Sequence, residues 1–564
     1  MHGCIRSLID VSCRTDGLTL DDKFRHALVL AFLRQGKTEQ ALSTLQSFEE
    51  SRPAPTQTYA RAILSLLSSG KPHLHEEAWT TFHRMRLVAH PVPSADIFSI
   101  MIRACADGHV PRDGRPGPQK SDAERALDLF REMTVARNMR PSVEAFNATI
   151  LACARSEELH HEAFRLFRQM IALQAEGSSH FAPDRMTFNA LLLACARKGD
   201  LARARWIFGE MARLAASFVA ESQEMGEWQL AEALARLPDE HSLAHLFRAY
   251  AKYRPPHRSI RSLRKSASPA ASQGESAADY DLDKDSSNQY LQPEQWSDPL
   301  SSDQDTTLPQ TPRAVLSEAK RIFTAFHEAM LKKISNASSE SSIDLWTLVR
   351  PSVTVMNAYL RVLGTHVPKS QRLVTVSAAA FAETEECLFR PLQLRPNQDT
   401  AQFVLKLSCA EPNRAIADKH ASEAWKYLSE SAPAEDSKWR SWCWYIESLA
   451  KSRHLDEAVQ ELRRFTVELP PLTNQDLASQ RLTVSDLQLK LAEIESGRTP
   501  APTFQALSIL YQRLLDSSNH SGHKLMLWAL NAYGNQARIV EEAILKRQKQ
   551  GLGTADGDSL QVPS

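Results

Sequence analysis

One fifteen-residue segment occurs twice in the chain, and its two copies begin 42 residues apart. The first copy, residues 141–155, reads PSVEAFNATILACAR, and the second, residues 183–197, reads PDRMTFNALLLACAR. Self-similarity at a fixed spacing of about 20–50 residues is the mark of a repeat architecture. Because an array of stacked repeats has no single core, the length of 564 residues does not fix a number of globular domains.

Apolar residues recur at i, i+3, i+4 and i+7 along most of the chain, which is the helical period. The amphipathic segments come in pairs and predict these hairpins: 23–34 with 39–48, 56–67 with 76–85, 95–106 with 123–133, 143–155 with 161–173, 185–197 with 201–214, 353–363 with 376–391, 398–409 with 421–429, and 438–451 with 455–467. A further helix is predicted at 224–237, and three more without the repeat signature at 476–495, 503–516 and 523–550. The last three are typical of a cap at the end of an array.

The segment 254–312 interrupts this pattern. It begins basic, turns acidic, and is rich in Ser, Gln and Pro with few apolar residues, so we expect it to be disordered. The helix predicted at 240–253 has no partner before this segment, and the matching second helix comes after it at 313–333. The linker is therefore predicted to lie inside one repeat, between its two helices.

The predicted organisation of the whole chain follows from these segments. It consists of an N-terminal segment at 1–20, a repeat array at 21–253, the linker at 254–312, further repeats at 313–467, a helical cap at 468–550 and a flexible tail at 551–564. The first segment is a weak match to a transit peptide, since such peptides are rich in Arg and poor in acidic residues, and residues 1–20 contain both.

Charge and cysteine content limit the functional classes. Lys plus Arg and Asp plus Glu both number 67, which weighs against a general polyanion binder but leaves room for a basic groove. Cys105, Cys153 and Cys195 each follow an alanine at the same place in successive repeats, which indicates buried packing residues. No apolar run is long enough to span a bilayer, so we expect no membrane insertion.

The repeating unit carries a recognisable set of residues. Its best copy has Phe188-Asn189 on the first helix, a turn at 198–200, Ala204 at the helix crossing, and Pro183-Asp184 closing the unit before it. These positions resemble the pentatricopeptide repeat. The related tetratricopeptide repeat expects Trp, Leu-Gly and Tyr on the first helix, and these are absent. The resemblance covers 141–214 strongly, 23–133 and 351–465 fairly, and the C-terminal hundred residues thinly.

The resemblance implies a fold and a site. The fold is all-α, a right-handed α-solenoid superhelix of helical hairpins whose first helices line the concave face. Repeats of this kind bind single-stranded RNA with about one base per repeat, each base read by two or three side chains. By resemblance the base-reading pairs are Asn147 with Asp184, Asn189 with Asp239, Asn357 with Asn397, and Ser99 with Ser142, and the residues that clamp a base by stacking are Met186 and Thr354.

In that family, Asn followed by Asp is linked to uracil, and Asn followed by Asn to pyrimidines. The chain departs from the pattern at Ala60 and Ala244, which cannot hydrogen-bond a base, and at Asp96 and Glu144, which stack poorly. The same residues also admit a plain structural explanation. An Asn near a helix start often serves a local hydrogen bond, and Pro-Asp before a helix is an ordinary cap.

The candidate metal-binding and catalytic motifs in the sequence each lack required residues. The run Asp279, Asp281, Asp283 and Asp285 lacks the Gly and Glu that a calcium loop requires. His241 and His245 lie four residues apart but have no evident third metal ligand. Metalloprotease, nucleophile-elbow and phosphate-loop motifs are missing, as are the deaminase-like and nuclease domains that some members of the family carry. We expect no enzyme activity, no metal and no cofactor.

Two functions remain open. The first is a sequence-selective single-stranded RNA-binding adaptor that binds a mitochondrial transcript or ribosomal RNA and acts in RNA processing, stability or translation. The second is a helical scaffold that binds proteins, for example one associated with the mitochondrial ribosome. Mitochondrial localisation is an expectation from the family resemblance. Salt-stable co-purification with a defined assembly would favour the second function.

Overall fold

The structure is a computed structural model, and it is all-α throughout its described residues. These are 22–69, 72–108, 120–176, 182–221, 236–256, 308–335, 346, 349–381, 387–430, 435–479, 484–495, 499–517 and 519–553. The chain forms two compact units, Met1–Arg112 with Gly117–Ala194, and Asp113–Pro116 with Cys195–Ser564. No helix within the described ranges combines the length and apolarity that crossing a membrane requires.

Antiparallel helix pairs build the first unit. Its helices are α1 (Asp22–Arg34), α2 (Thr38–Ser51), α3 (Thr56–Ser68), α4 (Pro72–Arg84), α5 (Ala95–Asp107), α6 (Lys120–Arg131), α7 (Val143–Arg155) and α8 (His160–Ala175), and the unit ends within α9 (Arg185–Lys198). Each odd-numbered helix from α1 to α7 packs on the helix that follows it, and α1, α3, α5 and α7 also stack in that order. The first helices of successive repeats therefore form one continuous layer.

Helix α7 shows why the sequence folds in this way. Ser142 caps it by accepting a hydrogen bond from the backbone N–H of Ala145 at 3.2 Å, as helix starts require. Its buried residues include Phe146, Ile150 and Cys153, which face the neighbouring helices. Phe146 meets Phe130 of the preceding repeat with ring centroids 5.0 Å apart. The doubled segment is thus a helix that is buried on several sides.

The second unit continues the hairpin pattern. Its helices are α10 (Leu201–Glu221), α11 (Glu240–Lys252), α12 (Pro312–Ser335), α13 (Val353–His366), α14 (Lys369–Phe381), α15 (Gln398–Ala410), α16 (Arg414–Glu430), α17 (Glu435–Lys451), α18 (Leu455–Glu468), α19 (Asn474–Ser479), α20 (Val484–Glu495), α21 (Phe504–Ser517), α22 (His520–Gly534) and α23 (Gln536–Gly553). The all-α repeat fold predicted from the sequence is confirmed.

The helices on either side of the predicted linker pack against each other. The hydroxyl of Tyr250 on α11 donates to a carboxylate oxygen of Glu318 on α12 at 2.7 Å, and the ring of Phe247 lies 6.1 Å from that of Phe323. The two helices that flank the inserted chain are thus in contact, as the prediction that the linker lies inside one repeat requires. Residues 257–307 of the predicted linker lie outside the described residues, as do residues 1–21 and the tail from 554.

Several predicted helix boundaries were wrong. The helix predicted at 376–391 is Lys369–Phe381, because Pro368 starts it and residues 388–393 form bends and turns that end with Gln393 at a φ of 56°. The helix predicted at 421–429 begins earlier, at Arg414, directly after Asn413. The single helix predicted at 523–550 is two helices, since α22 ends at Gly534, a residue that favours helix ends.

Two further predictions concern segments that are only partly described. The structure places helices at 474–479 and 484–495 where one helix was predicted at 476–495, and residues 480–483 lie outside the description. The helix predicted at 224–237 also lies outside it, apart from Arg236 and Leu237, which belong to a turn.

Two π-helical turns were not anticipated. Met85–Ala89 extends α4 and Glu132–Ala136 extends α6 at the corresponding place in the next repeat. Arg86 of the first π-helical turn binds Glu132 of the second at 2.7 Å, so the two turns are linked directly.

Candidate nucleic-acid interface

The helix starts place the predicted reading residues at one common position. Asn147 is the fifth residue of α7 and Asn357 is the fifth residue of α13. Each lies one turn into its helix, where the side chain points toward the start of the first helix of the next repeat. This register follows from the Ser142 and Ser352 caps, whose hydroxyls accept from the third residue of each helix.

Asn147 and Asp184 are in direct contact. The Nδ2 atom of Asn147 donates to Asp184 Oδ1 at 3.0 Å and lies 3.1 Å from Oδ2. The hydroxyl of Thr187 donates to Oδ1 of Asn147 at 2.6 Å. Asn147 is only 9% exposed, so its amide is held within a small polar cluster.

Asn357 and Asn397 repeat this geometry almost atom for atom. The Nδ2 atom of Asn357 donates to Asn397 Oδ1 at 2.9 Å, and the hydroxyl of Thr400 donates to Asn357 Oδ1 at 2.6 Å. Asn357 is half-buried and Asn397 is exposed. The second cluster is therefore more accessible to a ligand than the first.

The closing residues are also helix caps. The backbone N–H of Thr187 donates to Asp184 Oδ1 at 2.8 Å, and that of Thr400 donates to Asn397 Oδ1 at 3.1 Å. Asp239 accepts in the same way from Ser242 at 2.9 Å. The structural explanation that the sequence left open is thus confirmed for these residues, and it coexists with the contacts to the asparagines.

The remaining predicted residues are placed as follows. Asn189 is the fifth residue of α9 and Asp239 caps α11. No hydrogen bond joins Ser99 to Ser142, because Ser99 donates to the carbonyl of Ala95 and Ser142 caps α7. Met186 is 50% exposed, as a stacking residue must be, and Thr354 is half-buried.

One residue at the same position escaped the sequence analysis. His26 is the fifth residue of α1, and its Nδ1 atom lies 3.0 Å from the hydroxyl of Thr58, the third residue of α3. The signal that could have found it is its register, because a polar fifth residue of one first helix is followed by a hydroxyl-bearing third residue in the next first helix, as for Asn147 and Thr187.

His241 and His245 do not form a metal site with a third ligand. Burial and the neighbouring Arg248 guanidinium lower the pKa of His245 to about 3, and its Nδ1 atom lies 3.2 Å from Arg248. Across the described residues, no group of three or more His, Cys, Asp or Glu side chains is arranged to hold a metal ion.

Family models for this type of repeat match the chain in two places. The model described as "Pentatricopeptide repeat-containing protein" matches residues 13–110, and the model described as "PPR repeat" matches residues 186–214. The second match covers most of the repeat that contains Phe188 and Asn189. Over these residues the chain is similar to pentatricopeptide repeat proteins.

Solved structures of pentatricopeptide repeat proteins are similar to the chain at low identity. The pentatricopeptide repeat protein PPR10 in complex with an 18-nt psaJ RNA element is 15% identical, with a TM-score of 0.35 over 91% of this chain and 61% of that one. PPR10 from maize is 14% identical, with a TM-score of 0.31 over 96% and 62%. The chain therefore spans about three fifths of the length of PPR10. No curated protein matches its sequence significantly.

Proposed function

We propose that this chain is a pentatricopeptide repeat protein that binds single-stranded RNA selectively and acts as an adaptor in mitochondrial RNA processing, stability or translation. The observation that carries the proposal is the repetition of one polar cluster, Asn147 with Asp184 and Asn357 with Asn397, at the same helical position in two separate repeats. The similarity to the pentatricopeptide repeat over residues 13–110 and 186–214 supports it, because repeats of this kind bind RNA with about one base each.

The two clusters offer different groups to a base. The Oδ1 atoms of Asp184 and Asn397 are both used in capping the next helix. A ligand therefore meets the remaining atom of each side chain, which is a carboxylate oxygen in Asp184 and an amide nitrogen in Asn397. A carboxylate oxygen accepts from an N–H such as uracil N3–H, whereas an amide nitrogen donates to a base oxygen or ring nitrogen.

The proposal is tested by RNA crosslinking and sequencing with the intact protein. The double variant N147A/N357A should lose most of the enrichment of the bound RNA. The control is N531A, which removes an exposed asparagine of α22 far from any fifth position and should leave enrichment unchanged. If the wild-type protein recovers no RNA above background, the proposal is wrong.

Mitochondrial localisation is part of the proposal and has its own measurement. A fusion of the full-length natural protein to a fluorescent protein should coincide with a mitochondrial marker. A uniformly cytosolic signal from that fusion would contradict the localisation without bearing on RNA binding. If the fusion coincides with the marker, the bound RNA should be a mitochondrial transcript or ribosomal RNA, and sequencing of the crosslinked RNA distinguishes the two.

Protein binding, including association with the mitochondrial ribosome, is a second candidate function. The two linked π-helical turns support it, because Leu87 is 84% exposed and Val135 is 79% exposed. Apolar side chains at such positions are more typical of a protein contact than of RNA binding. L87D/V135D should release protein partners from a salt-washed organelle extract while RNA crosslinking persists; the reverse result would reject this candidate.

A further inference from the structure

A fully buried hydroxyl recurs at the third residue of three first helices. Thr58 of α3, Thr187 of α9 and Thr400 of α15 each have 0% exposed surface. Each hydroxyl contacts the side chain at the fifth position of the preceding first helix. The distances are 3.0 Å to His26, 2.6 Å to Asn147 and 2.6 Å to Asn357.

Whether the third residue carries this hydroxyl depends on which residue lies at the fifth position of the preceding first helix. Where the fifth residue is Ala60, Ser99 or Ala244, the third residue of the next first helix is Ile97, Ala145 or Val355. Where the fifth residue is His26, Asn147, Asn189 or Asn357, the corresponding residue is Thr58, Thr187, Ser242 or Thr400. A hydroxyl thus accompanies each larger polar side chain, and the short Ser99 bonds its own helix backbone instead.

Helix capping alone does not explain the pattern. At Thr187 and Thr400 the hydroxyl also accepts from the backbone N–H of the capping residue, at 3.2 Å in both cases. At Thr58 the capping residue is Pro55, which has no N–H and makes no side-chain cap. The contact with His26 is kept there without any reciprocal cap.

The hydrogen on this hydroxyl decides the orientation of the asparagine. Since Thr187 Oγ1 already accepts from the N–H of Asp184, its single hydrogen is directed to an acceptor. Two acceptors lie within reach, and Asn147 Oδ1 at 2.6 Å is nearer than Asp184 Oδ1 at 2.9 Å. The amide nitrogen of Asn147 then faces the acceptor-only carboxylate of Asp184. In the second cluster the Asn397 cap and the Thr400 hydroxyl fix Asn357 in the same way.

We propose that Thr58, Thr187 and Thr400 are positioning residues that fix which atoms of His26, Asn147 and Asn357 face a bound RNA base. This inference rests on the proposed RNA-binding function. It also adds His26 to the side chains that contact bases, because Thr58 holds its Nδ1 atom and leaves Nε2 for the ligand. A rigidly oriented polar group discriminates between bases, whereas a rotating amide accepts donors and acceptors alike.

The test compares substitutions that differ only in the hydroxyl. T187V removes it at nearly constant shape, and T187S keeps it, as Ser242 does at the equivalent position. The matched control is T149V, because Thr149 is equally buried but donates to the carbonyl of Ala145 within its own helix at 2.7 Å. Each full-length protein is used to select RNA from a randomised pool of oligonucleotides, which is then sequenced.

We expect the base preference at one position of the selected motif to fall roughly fivefold to thirtyfold in T187V. T187S and T149V should keep it. T58V should act at a different position, and H26A should act at the same position as T58V. A T187V protein with unchanged preference, or a T149V protein with an equal loss, overturns the inference.

A readout that needs no RNA separates the two proposals. In protein labelled with 15N-asparagine, the side-chain amide signals of Asn147 are assigned by their loss in N147A. T187V should speed the hydrogen exchange of that amide, and T187S should not. If the wild-type protein selects no RNA, the proposed function fails and the reading role fails with it. Unchanged exchange in T187V refutes the positioning role alone.

Discussion

The side-chain amide of Asn147 donates to the carboxylate of Asp184 at 3.0 Å across 37 residues of sequence. The same carboxylate caps α9 through the N–H of Thr187. One acidic side chain therefore joins two successive repeats and begins the second one. A residue that we propose contacts a base is therefore also part of the structure that holds successive repeats together.

Substitution of Asp184 should separate these two roles. D184A removes the cap and the partner of Asn147, which should cost about 1–2 kcal/mol of unfolding free energy. D184N keeps an oxygen for both bonds and should cost much less, while its outward atom changes from an acceptor to a donor. Chemical denaturation measures the first effect, and RNA selection measures the second. Equal destabilisation by both variants would contradict the capping role.

Gly199 should be far less replaceable than Gly36. Both have positive φ, 77° and 71° respectively, so alanine at either should cost about 1 kcal/mol from the backbone alone. A Cβ on Gly199 would also lie 3.0 Å from the carbonyl oxygen of Lys252, whereas a Cβ on Gly36 meets nothing within 4 Å. The melting temperature should fall more in G199A than in G36A, and equal shifts would count against the close approach.

Tyr250 should matter to the hairpin that contains the inserted linker. Its side chain is fully buried, and Y250F would leave Glu318 without its 2.7 Å hydrogen bond from the hydroxyl. Hydrogen bonds to charged groups contribute about 1.5–3 kcal/mol, so Y250F should lower the unfolding free energy by that order. The control is Y511F, since the Tyr511 hydroxyl makes no hydrogen bond within the described part of the chain. A loss no larger than in Y511F would show that the bond is dispensable.

The buried cysteines should be unreactive in the native protein. Burial raises the pKa of Cys105 and of Cys153 to about 12 from the ordinary 9.0. Burial also raises the pKa of Cys195. In a C4S/C13S background, which removes the two cysteines outside the described residues, a thiol reagent at pH 8 should react only after denaturant is added. Rapid reaction of the native variant would contradict the buried placement.

The same shifts give a pH dependence of stability. The thiol pKa values are higher in the folded protein than in the unfolded chain. The contribution of the neutral thiols to the free energy of unfolding is therefore fully present below pH 9. That contribution is lost as the pH rises from 9 toward 12, where the unfolded chain ionises first. Denaturation midpoints measured across this range should fall faster for the wild type than for C105A/C153A. Parallel curves would show that the thiols ionise alike in both states.

The doubled segment predicted a large part of this molecule correctly. It located α7 and α9, the register that makes Asn147 and Asn189 fifth residues, and the burial of Cys105, Cys153 and Cys195. Helical period and caps suffice for such features because they depend on residues close in sequence. The end of α22 at Gly534 and the start of α14 at Lys369 were not predicted, because the spacing of apolar residues does not report local backbone geometry.

The sequence alone thus determined a helical-hairpin repeat chain, its resemblance to the pentatricopeptide repeat and the recurrence of a polar residue at one helical position. Only the tertiary structure decided what that residue touches. The pairing of Thr58 with His26 and of Thr187 with Asn147 requires residues 32 and 40 positions apart to meet. The closure of α11 on α12 by Tyr250 and Glu318 bridges 68 residues. Such contacts depend on how each hairpin stacks on the next, which local propensities do not fix.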